Sequence, residues 1–232
     1  RGEQLCKTHN RMMTRVDFTE LHMRAMKQSG YCLVECGGGG DCFYHSMLFL
    51  ARLHNMEYLV DQWKDHSTFR KRTCEKLKTE DGRPILLYDP ALNTNITFLD
   101  RIVSKRVNDE PQSPEDTLRY FIRSHKQSET PNRNGTYVEN EMIHAVAFQN
   151  DITILVAHPT VPGFQVILPN GSANARPDDS AAVNSPFFLW CTGGHYQAFV
   201  KIHEFEVLST ALQTFPFIES SLLQAAHFRL KE

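Results

Sequence analysis

Three features of the sequence predict an α/β (α+β) domain in which a small central sheet is flanked by helices. Apolar residues recur at helical spacing on both sides of a run of four glycines, Gly37 to Gly40. Short apolar runs such as Ile152-Thr153-Ile154-Leu155-Val156 and Phe187-Phe188-Leu189-Trp190 suit buried strands and are too brief for helices. Of the 232 residues, 41% are hydrophobic and 22% charged, enough apolar material for a sizeable core.

The elements follow in order. Residues 1–14 are polar and unpatterned, and read as a flexible arm before a single domain over 15–232. Asp17 is placed to cap a helix carrying Phe18, Leu21, Ala25 and Met26, which Gly30 can end. Tyr31-Cys32-Leu33-Val34 reads as a strand. After the glycines a second helix starts at Cys42 and turns Phe43, Met47, Leu50, Ala51 and Leu53 toward a core. Residues 57–78 read as helical around Trp63, Phe69 and Leu77, and open a helical insertion over 57–134 with turns at Asp81-Gly82, Pro84, Pro90, Pro111 and Pro114. Glu139 to Phe148 predicts a helix, Asp151 to Val156 a buried strand and Gln165 to Leu168 another. Residues 169–185, rich in Asn, Ser, Ala, Asp and Pro, predict a mobile loop. Phe187–Trp190 and Tyr196–Ile202 predict a hairpin joined through Cys191-Thr192-Gly193-Gly194, and residues 208–230 a C-terminal helix broken near Pro216.

Composition narrows the function. The formal net charge is −2, which supplies no electrostatic reason to expect a nucleic-acid partner. No apolar stretch approaches the ~20 residues of a membrane span. The first residue is Arg1 rather than methionine, so a targeting segment is not legible at this end. The six cysteines would permit disulfides, but a chain of this length can build its core without them, which favours a reducing, intracellular setting. A monomer is expected, and no cofactor.

The segment Gly37-Gly38-Gly39-Gly40-Asp41-Cys42-Phe43-Tyr44-His45-Ser46 feeds a cysteine into the first turn of an apolar helix. Helix N–H groups and the macrodipole there favour a thiolate, the nucleophilic form of cysteine. Glycines let backbone N–H groups approach an oxyanion closely. Read without context, the same segment is equally a turn before a buried core cysteine. Far along the chain, Gly193-Gly194-His195-Tyr196-Gln197 opens an apolar strand with a histidine that can face a groove. Cys42 as nucleophile and His195 as general base make the pairing of a cysteine protease.

The first segment resembles the Asp-Gly-x-Cys-[Leu/Phe]-[Phe/Tyr]-x-[Ala/Ser] block of the OTU (ovarian tumour) cysteine proteases, and the second resembles their His-Tyr block. Ser67-Thr68-Phe69-Arg70 resembles that family's His-x-x-Leu-Arg helix. Gly135-Thr136-Tyr137, with the helix and strand after it, resembles its later turn, helix and strand. The likeness spans about Phe18 to Val200. It implies a papain-like OTU fold, ubiquitin or polyubiquitin as partner, and thiol-dependent hydrolysis at the C-terminal glycine of ubiquitin. Gly39, Gly40 and Asp41 would form the oxyanion loop, and Gly193, Gly194 and Tyr196 would line the channel for the ubiquitin tail. There are two departures. Gly39 stands where the family usually has aspartate, and Gln197 stands where an Asp or Asn orients the histidine. Gln197 is then the third member by position, although an acidic residue from elsewhere could take its place. The glycine-rich form of the motif resembles divergent members of the bacterial-effector or viral kind, whose setting would be the host cytoplasm.

Other readings stay open. Cys32, Cys36, Cys42 and His45 have zinc-ligand chemistry at a C-x3-C-x5-C-x2-H spacing, but leave His195 unexplained. A ubiquitin-binding pseudoenzyme would account for Gly39 and Gln197. A peptidase for another ubiquitin-like modifier would use the same dyad. His45 and His144 read as packing residues rather than bases.

Overall fold

The computed structural model describes residues 17–37, 40–77, 85–89, 94–104, 113–126, 138–160, 163–169 and 185–204. The expected arm over 1–14 and the C-terminal helix over 208–230 lie outside these residues, as does the loop over 169–185 apart from its two end residues.

The first helix, α1 (Thr19–Gln28), begins where Asp17 Oδ1 accepts the Thr19 N–H at 2.8 Å. It ends at Gly30, whose φ of +76° is open to glycine at little cost. The chain then enters β1 (Tyr31–Val34) and, after the glycine run, α2 (Cys42–Leu53). The stretch read as helical over 57–78 comprises two helices, α3 (Glu57–Trp63) and α4 (His66–Lys76). Lys64 at φ +61° turns the chain, and Asp65 restarts it by accepting the Thr68 N–H at 2.7 Å. The following segment holds helices α5 (Phe98–Ser104) and α6 (Pro114–Lys126), but also a two-stranded antiparallel sheet of β2 (Leu86–Asp89) and β3 (Thr94–Thr97). Four-residue strands between turn residues carry too little pattern to be read locally.

Helix α7 (Asn140–Asn150) leads through a left-handed Asp151 to β4 (Ile154–Ala157), then β5 (Phe164–Ile167), β6 (Phe187–Thr192) and β7 (His195–Lys201). The central sheet runs β1-β7-β6-β4-β5, with β4 and β6 parallel and the other neighbours antiparallel. The β6–β7 connection is only Gly193 and Gly194, at φ +58° and +84°. Two successive positive φ values are the demand of a tight hairpin, and they explain the glycine pair.

Helices cover both faces, as α+β layering requires. Val34, Ile154, Val156, Phe187, Leu189, Ala198 and Val200 face one core with α2 and α7. The alternate residues Leu155, Phe188, Trp190 and Phe199 join Met26 of α1 in a second core. Buried Trp63 stacks on Phe69 at 4.0 Å between ring centroids. Its Nε1–H donates to Asn150 Oδ1 at 3.1 Å, tying the α3–α4 pair to the end of α7.

One buried group in α7 carries a conditional cost. His144 is 1% exposed and, among the described residues, neither ring nitrogen has a hydrogen-bond partner. Burial lowers its pKa to about 4, with Glu141 pulling the other way. The unfolded chain, with histidine near 6.5, therefore binds a proton before the folded chain does. The stability that the neutral ring allows is complete above about pH 6.5 and is lost as pH falls toward about 4. His144→Leu, close in volume, is expected to flatten the fall in unfolding free energy over that window, measured by urea denaturation at a series of pH values.

Candidate active site

Strand pairing assembles the site. In β1 and β7, Val34 lies opposite Ala198, so the chain leaving β1 runs alongside the start of β7. That course brings Glu35 to His195, with Oε2 2.7 Å from Nε2. The same oxygen accepts the side-chain amide of Gln197 at 3.0 Å, and the other, Oε1, accepts the Gly37 N–H at 3.3 Å. Both carboxylate oxygens are thus committed, and bonds to an ionised acceptor are the stronger kind.

Cys42, the first residue of α2, is 1% exposed. Its Sγ lies 3.7 Å from the Gly194 carbonyl and accepts the Tyr196 N–H at 3.3 Å. The sulfur is therefore set against the backbone immediately before and after His195. Packing of α2 on β7 keeps it there: Ser46 Oγ donates to the Tyr196 carbonyl at 3.3 Å, and the Phe43 and Tyr196 rings meet edge to face at 5.4 Å. The structure thus sets the Cys42 sulfur beside the two neighbours of His195, which lies 153 residues further along the sequence.

Three expectations about individual residues need correction. The Gln197 side chain hydrogen-bonds to Glu35 rather than to the imidazole, and Glu35 holds the ring. Tyr196 does not line a channel. Alternation along β7 sends His195 and Gln197 to one face and Tyr196 into the core, where it is 4% exposed and its hydroxyl donates to the Val138 carbonyl at 3.2 Å. Only its backbone N–H belongs to the site. The surroundings of the Cys42 thiol also work against the thiolate that a helix start favours. Burial pushes its pKa up, against the lowering by the N–H groups of Tyr196 and Phe43.

The glycine-rich loop is gripped from several sides. Gly37, at φ +138°, packs on His45, and a Cβ there would come within 3.0 Å of the imidazole. His45 in turn lies against His66 at 4.1 Å between ring centroids, which gives it the packing role expected. Gly39 is outside the described residues. Gly40 and Asp41 are both held by buried Arg70 from α4: its Nη1 donates to the Gly40 carbonyl at 3.3 Å and pairs with Asp41 Oδ1. Gly193 and Gly194 form the turn that presents His195.

The five described cysteines, Cys32, Cys36, Cys42, Cys74 and Cys191, are free thiols. Among the described residues, no group of three or more His, Cys, Asp or Glu side chains is arranged to hold a metal ion. Cys36 is buried and its pKa is pushed up to about 12, an environment that disfavours the thiolate a zinc ligand needs. No described helix is long and apolar enough to cross a membrane.

Sequence reasoning missed Glu35 and the contacts of Arg70. Glu35 stands directly after a predicted strand, but its role depends on that strand pairing with one 160 residues away. Arg70 lies in a stretch the family likeness covers, yet nothing local shows that its guanidinium turns inward.

No protein-family model matches the chain, and no curated protein matches it. Among solved structures it is similar to the one described as the crystal structure of an OTU deubiquitinase from Wolbachia pipientis wMel. The TM-score is 0.52 and the identity 12%, over 79% of this chain and 96% of that one. At that identity the likeness speaks for the fold: the chain shares the α+β arrangement of an OTU deubiquitinase.

Proposed function

We propose that the protein is a cysteine-type deubiquitinase, hydrolysing the isopeptide bond between the C-terminal glycine of ubiquitin and a lysine amine. The observation that carries this reading is the Cys42 sulfur set against the backbone on either side of His195, while Glu35 holds Nε2 of that imidazole. The OTU deubiquitinase fold supports ubiquitin as the substrate class.

With Nε2 occupied by Glu35, Nδ1 is the nitrogen that serves Cys42. His195 takes the thiol proton as sulfur attacks the glycine carbonyl, and negative charge moves to the carbonyl oxygen. The backbone N–H of Cys42 and those of the Gly39–Asp41 loop stabilise it. The tetrahedral species collapses, the C–N bond breaks, and His195 returns its proton to the leaving lysine amine. Water then gives a proton to His195 and adds to the thioester carbonyl; the C–S bond breaks, sulfur takes the proton back from His195, and the carboxylate leaves. Glu35 stabilises the imidazolium at both stages, a task the neutral amide of Gln197 cannot perform. Gln197 instead braces Glu35. Burial disfavours the Cys42 thiolate, which makes a base beside it the more necessary.

Ubiquitin carrying a C-terminal propargylamide is expected to form a covalent adduct, seen by intact mass, that Cys42→Ala abolishes; a folded protein that stays unmodified would count against the reading. Glu35→Gln is expected to lower the hydrolysis rate of a ubiquitin coumarin amide by about 10²-fold. Gln197→Ala, which removes one hydrogen bond to a charged group, should cost about tenfold; the reverse ranking would restore Gln197 as the orienting residue. In His195→Ala, the pH profile of Cys42 alkylation by iodoacetamide should show a thiol titrating above the ordinary cysteine range, since burial raises it. A profile at or below that range would mean the thiolate forms without the base.

A further inference from the structure

We infer that Arg70 is the positioning residue of the oxyanion loop, holding the Gly40–Asp41 peptide so that the Asp41 N–H faces the carbonyl under attack. The inference rests on the reading above that Cys42 attacks a carbonyl. Arg70 is 1% exposed, in a residue type almost never fully buried without partners. Its Nε donates to the His125 carbonyl at 2.5 Å, and its guanidinium carbon lies 5.5 Å from the centre of the Tyr44 ring. A guanidinium fixed on these sides is a rigid fork, and Nη1 applies it to the loop at Gly40 O and Asp41 Oδ1.

Peptide planarity turns that grip into an orientation. In a trans peptide the C=O and the following N–H point in opposite directions. Drawing the Gly40 carbonyl back toward α4 therefore turns the Asp41 N–H away from α4. The next peptide is fixed as well, because the Asp41 carbonyl accepts the His45 N–H at 3.0 Å as the first bond of α2. Cys42 N–H is then one of the unpaired donors at the helix start. Two consecutive N–H groups are presented together, one fixed by the helix and one by Arg70. The second needs an external hold, since Gly40 at φ +92° belongs to a run of glycines whose peptides can rotate cheaply. The sequence departs from the OTU pattern at Gly39 in this same loop, and the Asp41–Arg70 pair supplies a restraint from the other side.

Two reactions of Cys42 separate positioning from mere support of the fold. Alkylation by chloroacetamide develops no oxyanion, whereas hydrolysis of p-nitrophenyl acetate or of a ubiquitin coumarin amide does. Arg70→Lys and Arg70→Met, each checked for folding by circular dichroism and thermal melting, are expected to alkylate within about threefold of wild type. Their kcat for hydrolysis should fall by about 10²-fold with KM little changed, the size of losing one oxyanion donor. Arg70→Lys, which keeps a cation beside Asp41, should lose less than Arg70→Met. Unchanged kcat in both variants overturns the proposal, and so does a parallel loss of alkylation and hydrolysis, which would make Arg70 a fold residue. A wild type that hydrolyses the acetate but not the ubiquitin substrate sinks the ubiquitin reading alone. A wild type that alkylates but hydrolyses neither sinks both.

Discussion

The antiparallel pairing of β1 with β7 is the constraint on which the site depends. It is a backbone ladder, indifferent to the chemistry it serves, and it sets the carboxylate that follows one strand beside the imidazole that opens the other. Glu35 then converts strand register into side-chain geometry. One oxygen holds His195 and Gln197, and the other reaches forward to Gly37. A single carboxylate thereby joins His195 to the loop that leads to Cys42, so the groups on the two segments are coordinated rather than placed independently.

A second organising contact lies at the start of α2, next to Cys42 in sequence. Arg70, Asp41 and the Gly40 carbonyl form a polar knot over the aromatic floor of Tyr44 and Phe69. Burying ions is costly, and such a pair is weak evidence for stability in itself. Its retention makes sense if the return is geometric, a loop of glycines held in one conformation. The tilted His45–His66 pair beneath Gly37 has the same character: aromatic surface under a residue where a Cβ would crowd the imidazole.

Much of the fold is legible in the sequence, and the reasons differ by element. Helices α1, α2 and α7 and strands β4, β6 and β7 announce themselves through periodicity and turn residues. The division at Lys64 does not, because its positive φ is imposed by packing on a residue with no preference for it. Cys42 and His195 are readable because each sits in a distinctive local setting, a glycine run and a glycine pair. Glu35 and the inward turn of Arg70 are not, because their roles exist only once distant segments are brought together. Tyr196 shows the opposite error: it adjoins the candidate base His195, but strand alternation places adjacent residues on opposite faces.

The Gly193–Gly194 turn has a consequence for how this chain could vary. A two-residue hairpin fixes the register of β7 against β6, and Thr192 pairs directly with His195. Adding or removing one residue there would slip β7 by one position and exchange its faces. Tyr196, with its buried ring, would swing toward the groove, and the imidazole would be driven into the core. The hairpin can therefore absorb changes of composition that respect its positive φ angles, but not a change of length. Related chains that keep Cys42 and His195 should conserve the spacing between β6 and the histidine more strictly than the residues that fill it.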